Sequence, residues 1–371
     1  MDKTQSEFCY KPSLDVAIET ITNKARRFSK VQEVDVHNAL FCTVARDIAS
    51  PVDAPPVTWA RKDGTAVGES GGRPFTVDVR TGEPVPEGTQ AVIPSENYDK
   101  ATARKQMEAA VARGRLELVV PGSEYAKGEA LLHKGDVFDL PAQSQMQYLD
   151  IYSAVALVQP ALDILVFSDQ PPSSIPAATW LSNFARSWGF KDIRTTLVKS
   201  VAKIPTHLSP RSLVVALSDG APGRYAEMSP LWNPSQPNVE LDFWKWQLYP
   251  CRHVGFGTLD GHPLLILPDV FSKTVLSSLV FFPAWCQAPL DMPLHEQSFE
   301  LSPEIPLESG YPRMVPVEVR PTPSGLNARQ CSLLEAFSGK GVLRANGYAL
   351  VSEEEKNSSS ITVTRALRGR W

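Results

Sequence analysis

Thr81-Gly82-Glu83-Pro84-Val85-Pro86-Glu87-Gly88 carries the most specific signal in the chain. Proline locks φ and glycine admits conformations that other residues avoid, so two of each at these offsets set a rigid backbone course. The apolar run Ala91-Val92-Ile93 follows and reads as a strand. Upstream stands Pro55-Pro56-Val57-Thr58-Trp59-Ala60-Arg61-Lys62-Asp63-Gly64-Thr65-Ala66-Val67. Downstream come Gly128-Glu129 and Gly135-Asp136-Val137. From Thr65 to about Phe138 short strands and Gly/Pro punctuation alternate, which predicts a small β-rich insertion.

At 371 residues the chain is too long for one ordinary core and predicts two to four modules. Its 43% hydrophobic content is that of a soluble globular protein, and 32 prolines favour many short elements joined by rigid turns. A net charge of -4 gives no electrostatic reason to expect nucleic acid or an anionic membrane as partner. Cys9, Cys42, Cys251, Cys286 and Cys331 are scattered and form no CxxC pair, so neither a structural zinc site nor a redox dithiol is suggested. With Met1 to Gln5 polar and charged, the expectation is a reduced, cytoplasmic protein. The most apolar run, roughly Leu264 to Trp285, is broken by Pro268, Asp269, Lys273 and Pro283 and reads as strand, turn and helix, not a membrane span.

Helical spacing of Leu14, Ala17, Ile18, Ile21 and Ala25 predicts a helix over Ser13 to Phe28, and Leu40, Val44 and Ile48 predict a second over Val36 to Asp47. A helix is also expected within Ala142 to Ala161. Leu162 to Phe167, Leu213 to Leu217 and Leu264 to Leu267 read as buried strands alternating with helices at Ala177 to Trp188 and Thr274 to Phe282, the pattern of a parallel α/β domain. Past about Leu301, Val315-Val317-Val319, Ala349-Val351 and Ile361-Val363 predict a small β-barrel or sandwich. The boundaries expected are 1–50 with 140–161 for an N-terminal helical module, 51–139 for the insertion, 162–300 for the α/β domain and 301–371 for the C-terminal β domain.

In their order and spacing the quoted phrases resemble the molybdopterin molybdenumtransferase family, bacterial MoeA and the gephyrin E domain. The resemblance runs from Val36 to about Leu367; it is strong in the insertion, eroded in the α/β domain and weak at the C-terminus. It implies an α/β plus β fold: an elongated multi-domain subunit with a β-rich insertion, a MogA-like parallel α/β domain and a C-terminal β-barrel. It also implies a homodimer whose site lies between the α/β domain of one subunit and the N-terminal parts of the other. The family reaction inserts molybdate into adenylylated molybdopterin with a divalent cation's help, releasing AMP. Molybdopterin, its adenylylated form and Mg²⁺ are therefore the implied ligands.

Carried over position by position, the resemblance makes Asp63 and Glu129 the catalytic acids. Asp63-Gly64 matches the end of the family's Met-Asp-Gly-Tyr-Ala phrase, with Lys62 and Thr65 in place of Met and Tyr; by itself such a pair reads equally well as a turn. Glu129 matches the family's Gly-Glu-Asp phrase, although Ala130 replaces the second acid and a solvated surface glutamate is the plainer reading. Thr81, Ser168, Asp169, Ser218, Gly220, Gly223 and Arg252 are the implied phosphate- or pterin-binding residues. No metal-ligating set is expected, since the six histidines show no ligand spacing.

The anion-binding loops depart most from the family. Its Thr-Gly-Asp-Glu loop corresponds to Ser168-Asp169-Gln170, without the glycine. The Ser-Gly-Gly-Val-Ser-Val-Gly-Asp loop corresponds to Ser218-Asp219-Gly220-Ala221-Pro222-Gly223-Arg224, which keeps Ser218, Gly220 and Gly223 but gains an acid. Leu-Pro-Gly-Asn-Pro-Val-Ser has become Leu267-Pro268-Asp269-Val270-Phe271-Ser272-Lys273, and Lys-Pro-Gly-Lys-Pro has become Tyr249-Pro250-Cys251-Arg252-His253. Aspartate for glycine restricts the backbone and repels phosphate, by on the order of a few kcal/mol where partly desolvated. Two functions of different class follow: a transferase with weakened or lost catalysis, or a non-catalytic paralogue that binds a protein partner as scaffold or accessory factor. Eroded preorganised donors favour the second, because such sites act through groups fixed in advance.

Overall fold

Ser13 starts the first helix. Its hydroxyl accepts from the Val16 amide at 3.4 Å in the computed structural model, opening α1 (Leu14–Phe28). Asp15 in the first turn and Arg26 and Arg27 in the last complement the helix dipole, while Leu14, Ala17, Ile21 and Ala25 form the buried stripe that their spacing predicts. The structure describes residues 11–114, 116–200, 204, 208–218, 227–232, 238–268, 270–292, 296–300, 312–323, 325–331, 345–351 and 360–365. The chain divides into two units, one drawn from Met1–Arg46, Lys134–Leu140 and Ser153–Trp371, the other from Asp47–His133 and Pro141–Tyr152.

In the first unit β1 (Lys30–Asp35) leads to a 3₁₀ turn at Val36–Asn38, where the Asp35 carboxylate accepts from the His37 amide at 2.7 Å, and then to β2 (Thr43–Val44). The helix expected over Val36 to Asp47 is therefore absent. Phe41 takes a left-handed φ of 63°, which an α-helix cannot contain, and the apolar spacing that suggested a helix serves a turn and a short strand instead.

The second unit holds β3 (Ile48–Ala49), β4 (Trp59–Ala60), β5 (Gly64–Ser70), β6 (Arg73–Val79), β7 (Thr89–Pro94), α2 (Ala103–Ala112), β8 (Leu118–Val119), β9 (Ala130–Leu132) and nearly all of α3 (Leu140–Tyr148). Strand β5 lies between β6 and β7 in an antiparallel sheet, and β4 pairs with β8 and β3 with β9. Gly71 and Gly72, at φ 57° and 78°, make the two-residue turn joining β5 to β6, a place where positive φ suits the twist of the hairpin. Alternation along the strands sends Ala66, Val79 and Val92 to one small core and Val67, Ala91 and Ile93 to another.

Helix α3 covers only the first part of the helix expected within Ala142 to Ala161. Asp150 adopts φ 54° and the Ile151 amide bonds back to Met146 O at 2.8 Å, a left-handed helix stop. The remainder is β10 (Ser153–Val158), which pairs antiparallel with β1 and β2 in the first unit.

The same unit continues through β11 (Leu162–Phe167), α4 (Pro176–Ser187), β12 (Ile193–Val198), β13 (Leu213–Ser218), β14 (Val239–Trp244), β15 (Gly255–Leu259), β16 (His262–Ile266) and α5 (Phe271–Gln287). Its six strands run in the order β12-β11-β13-β16-β15-β14. The first four are parallel, as the largely apolar runs of β11, β13 and β16 predict, and β15 and β14 add an antiparallel edge. Every residue of β11 and β13 is buried. Ile164 and Val166 face a core with α1, α4 and α5, rich in edge-to-face rings such as Phe184–Phe282 and Phe190–Phe282; Leu165 and Phe167 face a second core with Met228 and Leu231. Helix α5 runs five residues past the expected end at Phe282, through Pro283. Among the described residues no helix is long and apolar enough to cross a membrane.

Where a C-terminal β-barrel is expected, the described residues form a five-stranded antiparallel sheet. Its strands are β17 (Glu296–Glu300), β18 (Arg313–Thr322), β19 (Gly325–Gln330), β20 (Gly347–Val351) and β21 (Ser360–Arg365), in the order β17-β21-β20-β18-β19. Val315, Val317, Val319, Ala349, Val351 and Val363 fill its apolar core.

Candidate functional site

In the second unit the site is built by the turn at Thr81. Glu83 shapes that turn: its carboxylate accepts from the Arg80 amide at 2.9 Å, and its own amide donates to Arg80 O at 3.0 Å. Gly82, at φ 82°, donates its amide to Ala60 O at 2.8 Å, and the Val85 amide donates to Thr58 O at 3.0 Å. The turn is thus clamped on β4, and the Thr81 amide and hydroxyl both point at one oxygen of Asp63. The amide donates to Asp63 Oδ1 at 2.7 Å and the hydroxyl at 2.8 Å.

These two bonds hold the Asp63 carboxyl below its ordinary value; the Thr81 amide is the larger cause, the hydroxyl the second, and the charge of Arg80 adds to them. Asp63 is therefore a fixed carboxylate at neutral pH. Two family-like phrases 18 residues apart meet here.

Asp63 lines a cleft of about 430 Å³, to which Asp78, Arg80, Ser95 and Tyr98 also contribute. That volume suits a small-molecule ligand. The Asp78 carboxylate accepts from the Thr65 hydroxyl at 3.0 Å, directly across the β5–β6 ladder. Sequence reasoning missed Asp78, Arg80, Ser95 and Tyr98. The signal available was parity: Asp78 and Arg80 are two apart on and just past β6, so they share a face.

Gly64 begins β5 instead of occupying a turn. A Cβ there would sit 2.2 Å from Ile93 O, so the glycine serves close backbone approach, which the turn reading of Asp63-Gly64 did not supply. Lys62, which stands in place of methionine, faces Glu117 across 3.8 Å at a half-exposed position. Glu129 is not among the residues lining the cleft. Its carboxylate accepts from the Ala126 amide at 2.9 Å and closes its own turn, while its carbonyl accepts from the Ser50 amide at 2.8 Å.

The remaining sites belong to the first unit, where parallel strands bring their carboxyl ends to one sheet edge. Ser168 follows β11 and is fully buried; its hydroxyl accepts from the Gln170 amide at 2.9 Å. Asp169 beside it is exposed. Ser218 ends β13 opposite Phe167 and is also buried. Arg252 is half-buried in the connection between β14 and β15, which reaches the same edge because Gly255 pairs with Ile266 at the end of β16. Thus Ser168, Asp169, Ser218 and Arg252 share one edge. Gly220 and Gly223 lie outside the described residues, as does Asp269.

Helix α5 starts at this edge with Val270 as its N-cap and no side chain capping it. Thr274 Oγ1 donates instead to Pro268 O at 2.8 Å. Cys251 is buried against the first turn of α5, with its thiol 3.7 Å from Lys273 O, and burial pushes its pKa up to about 12. It is an inert structural thiol.

Comparison with known proteins adds three findings. Residues 12–145 match the family model of the MoeA N-terminal region, domains I and II. No curated protein matches the sequence. Solved structures match nearly end to end at low identity. Two crystal structures of the molybdopterin biosynthesis MoeA protein of Pyrococcus horikoshii superpose with TM-scores of 0.62 and 0.57. They are 15% and 16% identical, and the matches cover 96% and 95% of this chain and 100% and 99% of theirs. A molybdenum cofactor biosynthesis protein of Pyrococcus furiosus matches at TM-score 0.53 and 14% identity, over 96% of this chain and all of that one. Residues 12–145 are thus similar to the MoeA N-terminal region, and the chain as a whole shares the fold of these MoeA proteins.

Proposed function

We propose that this chain is a molybdenum-cofactor biosynthesis protein of the MoeA kind that keeps the acidic cleft around Asp63 and has weakened or lost the molybdate-insertion step. The observation that carries the reading is the Asp63 carboxylate locked by both donors of Thr81 inside a ligand-sized cleft. Molybdopterin or its adenylylated form is the substrate class. Its anionic phosphate goes to the sheet edge of Ser168, Ser218 and Arg252, where strand ends and the uncapped start of α5 favour negative charge.

A divalent cation fits the cleft in one way only. Among the described residues no group of three or more His, Cys, Asp or Glu side chains is gathered. Asp63 and Asp78 do line one cleft, and Mg²⁺ is commonly held by one or two carboxylates together with substrate phosphates and water. Those two residues would hold it, and the ion would supply charge stabilisation to a developing oxyanion. A homodimeric, cytoplasmic protein with four-part subunits completes the reading.

The second reading, a non-catalytic scaffold that binds a protein partner, draws on two details. Ser168 spends its hydroxyl on its own loop, and Glu129 spends its carboxylate on its own turn. One titration separates the readings: the purified chain with molybdopterin and with its adenylylated form, in Mg²⁺ and molybdate, following binding and AMP release. Binding with slow or absent release is the expected result. Molybdate-dependent release that Asp63→Ala abolishes would restore the full transferase. Loss of both binding and release in a folded protein would leave the scaffold. Light scattering of the same sample checks the dimer.

A further inference from the structure

Arg313, the first residue of β18, is 7% exposed, and among the described residues its Nε and Nη1 have no hydrogen-bond partner. Its guanidinium lies over the ring of Tyr249, 4.8 Å from the centroid. The backbone fixes this placement: the Tyr249 amide donates to Pro312 O at 3.1 Å, and the Met314 amide donates to Tyr249 O at 2.9 Å. An arginine does not give up its proton, so this is a permanent buried cation. A ring face offsets only part of the cost of burying it, and a buried charge without a counter-ion is unfavourable. Such a group calls for an anion.

Tyr249 is the position at which the eroded loop has lost a lysine, and the loop continues through Cys251 to contact the first turn of α5 at Lys273 O. In that turn Ser272 is 3% exposed and its hydroxyl is also without a partner among the described residues. A buried cation and a buried hydroxyl, both unsatisfied, thus flank the two ends of one short loop.

We propose that Arg313 replaces, from the C-terminal sheet, the cation missing at Tyr249, and that it binds a phosphate-type oxyanion at this sheet edge. This rests on the reading above of the edge as the anion-binding side and names the residue that makes it one. Tyr249 acts as the platform: its ring holds the guanidinium flat and leaves the N–H donors for the anion. An arginine fork suits a tetrahedral oxyanion better than the point charge of a lysine.

The test uses the full chain, with inorganic phosphate and AMP as probes at matched ionic strength, binding being measured by calorimetry and by the anion-dependent rise of the unfolding midpoint. The two probes distinguish a free phosphate from a phosphate monoester. Arg313→Met is expected to weaken binding by about tenfold to a hundredfold, the range for a charge-assisted bond. Arg320→Met, on the same strand but exposed beside Glu318, should leave it unchanged.

Equal anion binding by wild type and Arg313→Met, or no binding of either probe by wild type, overturns the proposal. If Arg313→Met does not fold, Arg313→Lys carries the test: weaker binding at an unchanged anion-free midpoint supports the fork, and undiminished binding sinks it. Phosphate binding through Arg313 without molybdopterin binding would overturn the cofactor reading alone. Molybdopterin binding indifferent to Arg313 would overturn this inference alone.

Discussion

Replacing Gly64 with alanine asks whether the residue beside Asp63 is glycine for backbone freedom or for space. Its φ is not in the left-handed region, so alanine meets no conformational strain there. Space is the difficulty. The new Cβ would lie 2.2 Å from Ile93 O, 2.9 Å from Ile93 C and 3.0 Å from Pro94 Cα, all backbone atoms of the adjacent strand β7. Relief requires the strands to part by roughly 1 Å, enough to lengthen the neighbouring ladder bonds beyond useful range.

Losing or weakening two or three such bonds, at about 1 kcal/mol each, together with overpacking, gives an expected cost of about 2–3 kcal/mol. Gly71→Ala is the control. Its site is open but has φ 57°, so it should cost only about 1 kcal/mol through left-handed strain. Denaturant unfolding of the full chain, with hydrogen exchange resolved for β5 and β7, measures both. The exchange should accelerate in β7 for Gly64→Ala and not for Gly71→Ala. If Gly64→Ala is no worse than the control and leaves β7 protected, close approach is not why this glycine stands beside Asp63.

Two further outcomes follow from the ionisable groups. Thr81→Val removes the hydroxyl donor to Asp63 and keeps the amide, so the Asp63 pKa should rise part of the way towards 3.8, since the amide is the larger cause. A carboxyl carbon NMR titration reads this, and either no change or full recovery refutes the ranking. Because the folded-state pKa is lowered, the Asp63–Thr81 interaction stabilises the protein above the ordinary carboxylate pKa and fades as pH falls through the folded value, below about 4. Cys251, with its thiol pushed up to about 12 and fully buried, should resist maleimide at pH 8 in the native protein and react only on unfolding. Rapid native labelling traced to Cys251 by mass spectrometry would contradict its burial.

Much of the fold is legible in the chain. The nearly continuous apolar runs at Leu162–Phe167 and Leu213–Leu217 lie in fully buried parallel strands, because a strand covered on both faces has little polar side to display, and the acid in the first, Asp163, is taken up by the Ser209 amide and hydroxyl. The failures have a common cause. Leu40, Val44 and Ile48 are spaced for a helix, yet Phe41 at φ 63° breaks it, and a left-handed phenylalanine leaves no sign in an apolar pattern. Asp150 likewise ends α3 early and frees Ser153–Val158 to pair with β1. At the site, Asp63 and Thr81 were found through the phrases around them. Asp78, Ser95 and Tyr98 were not: Asp78 sits on β6 and the other two just past the end of β7, with no motif to mark them.

By itself the sequence determined what depends on local backbone, above all the rigid course of Thr81–Gly88. Proline and glycine act within a few bonds, so their effects are written where they occur. Tertiary structure alone decided that Thr81 grips Asp63, that Gly64 must yield to Ile93 O, and that Arg313 lies on Tyr249. Each of these joins segments whose distance and register are set by strand pairing, and pairing is selected by burial over the whole unit instead of by any short stretch of residues.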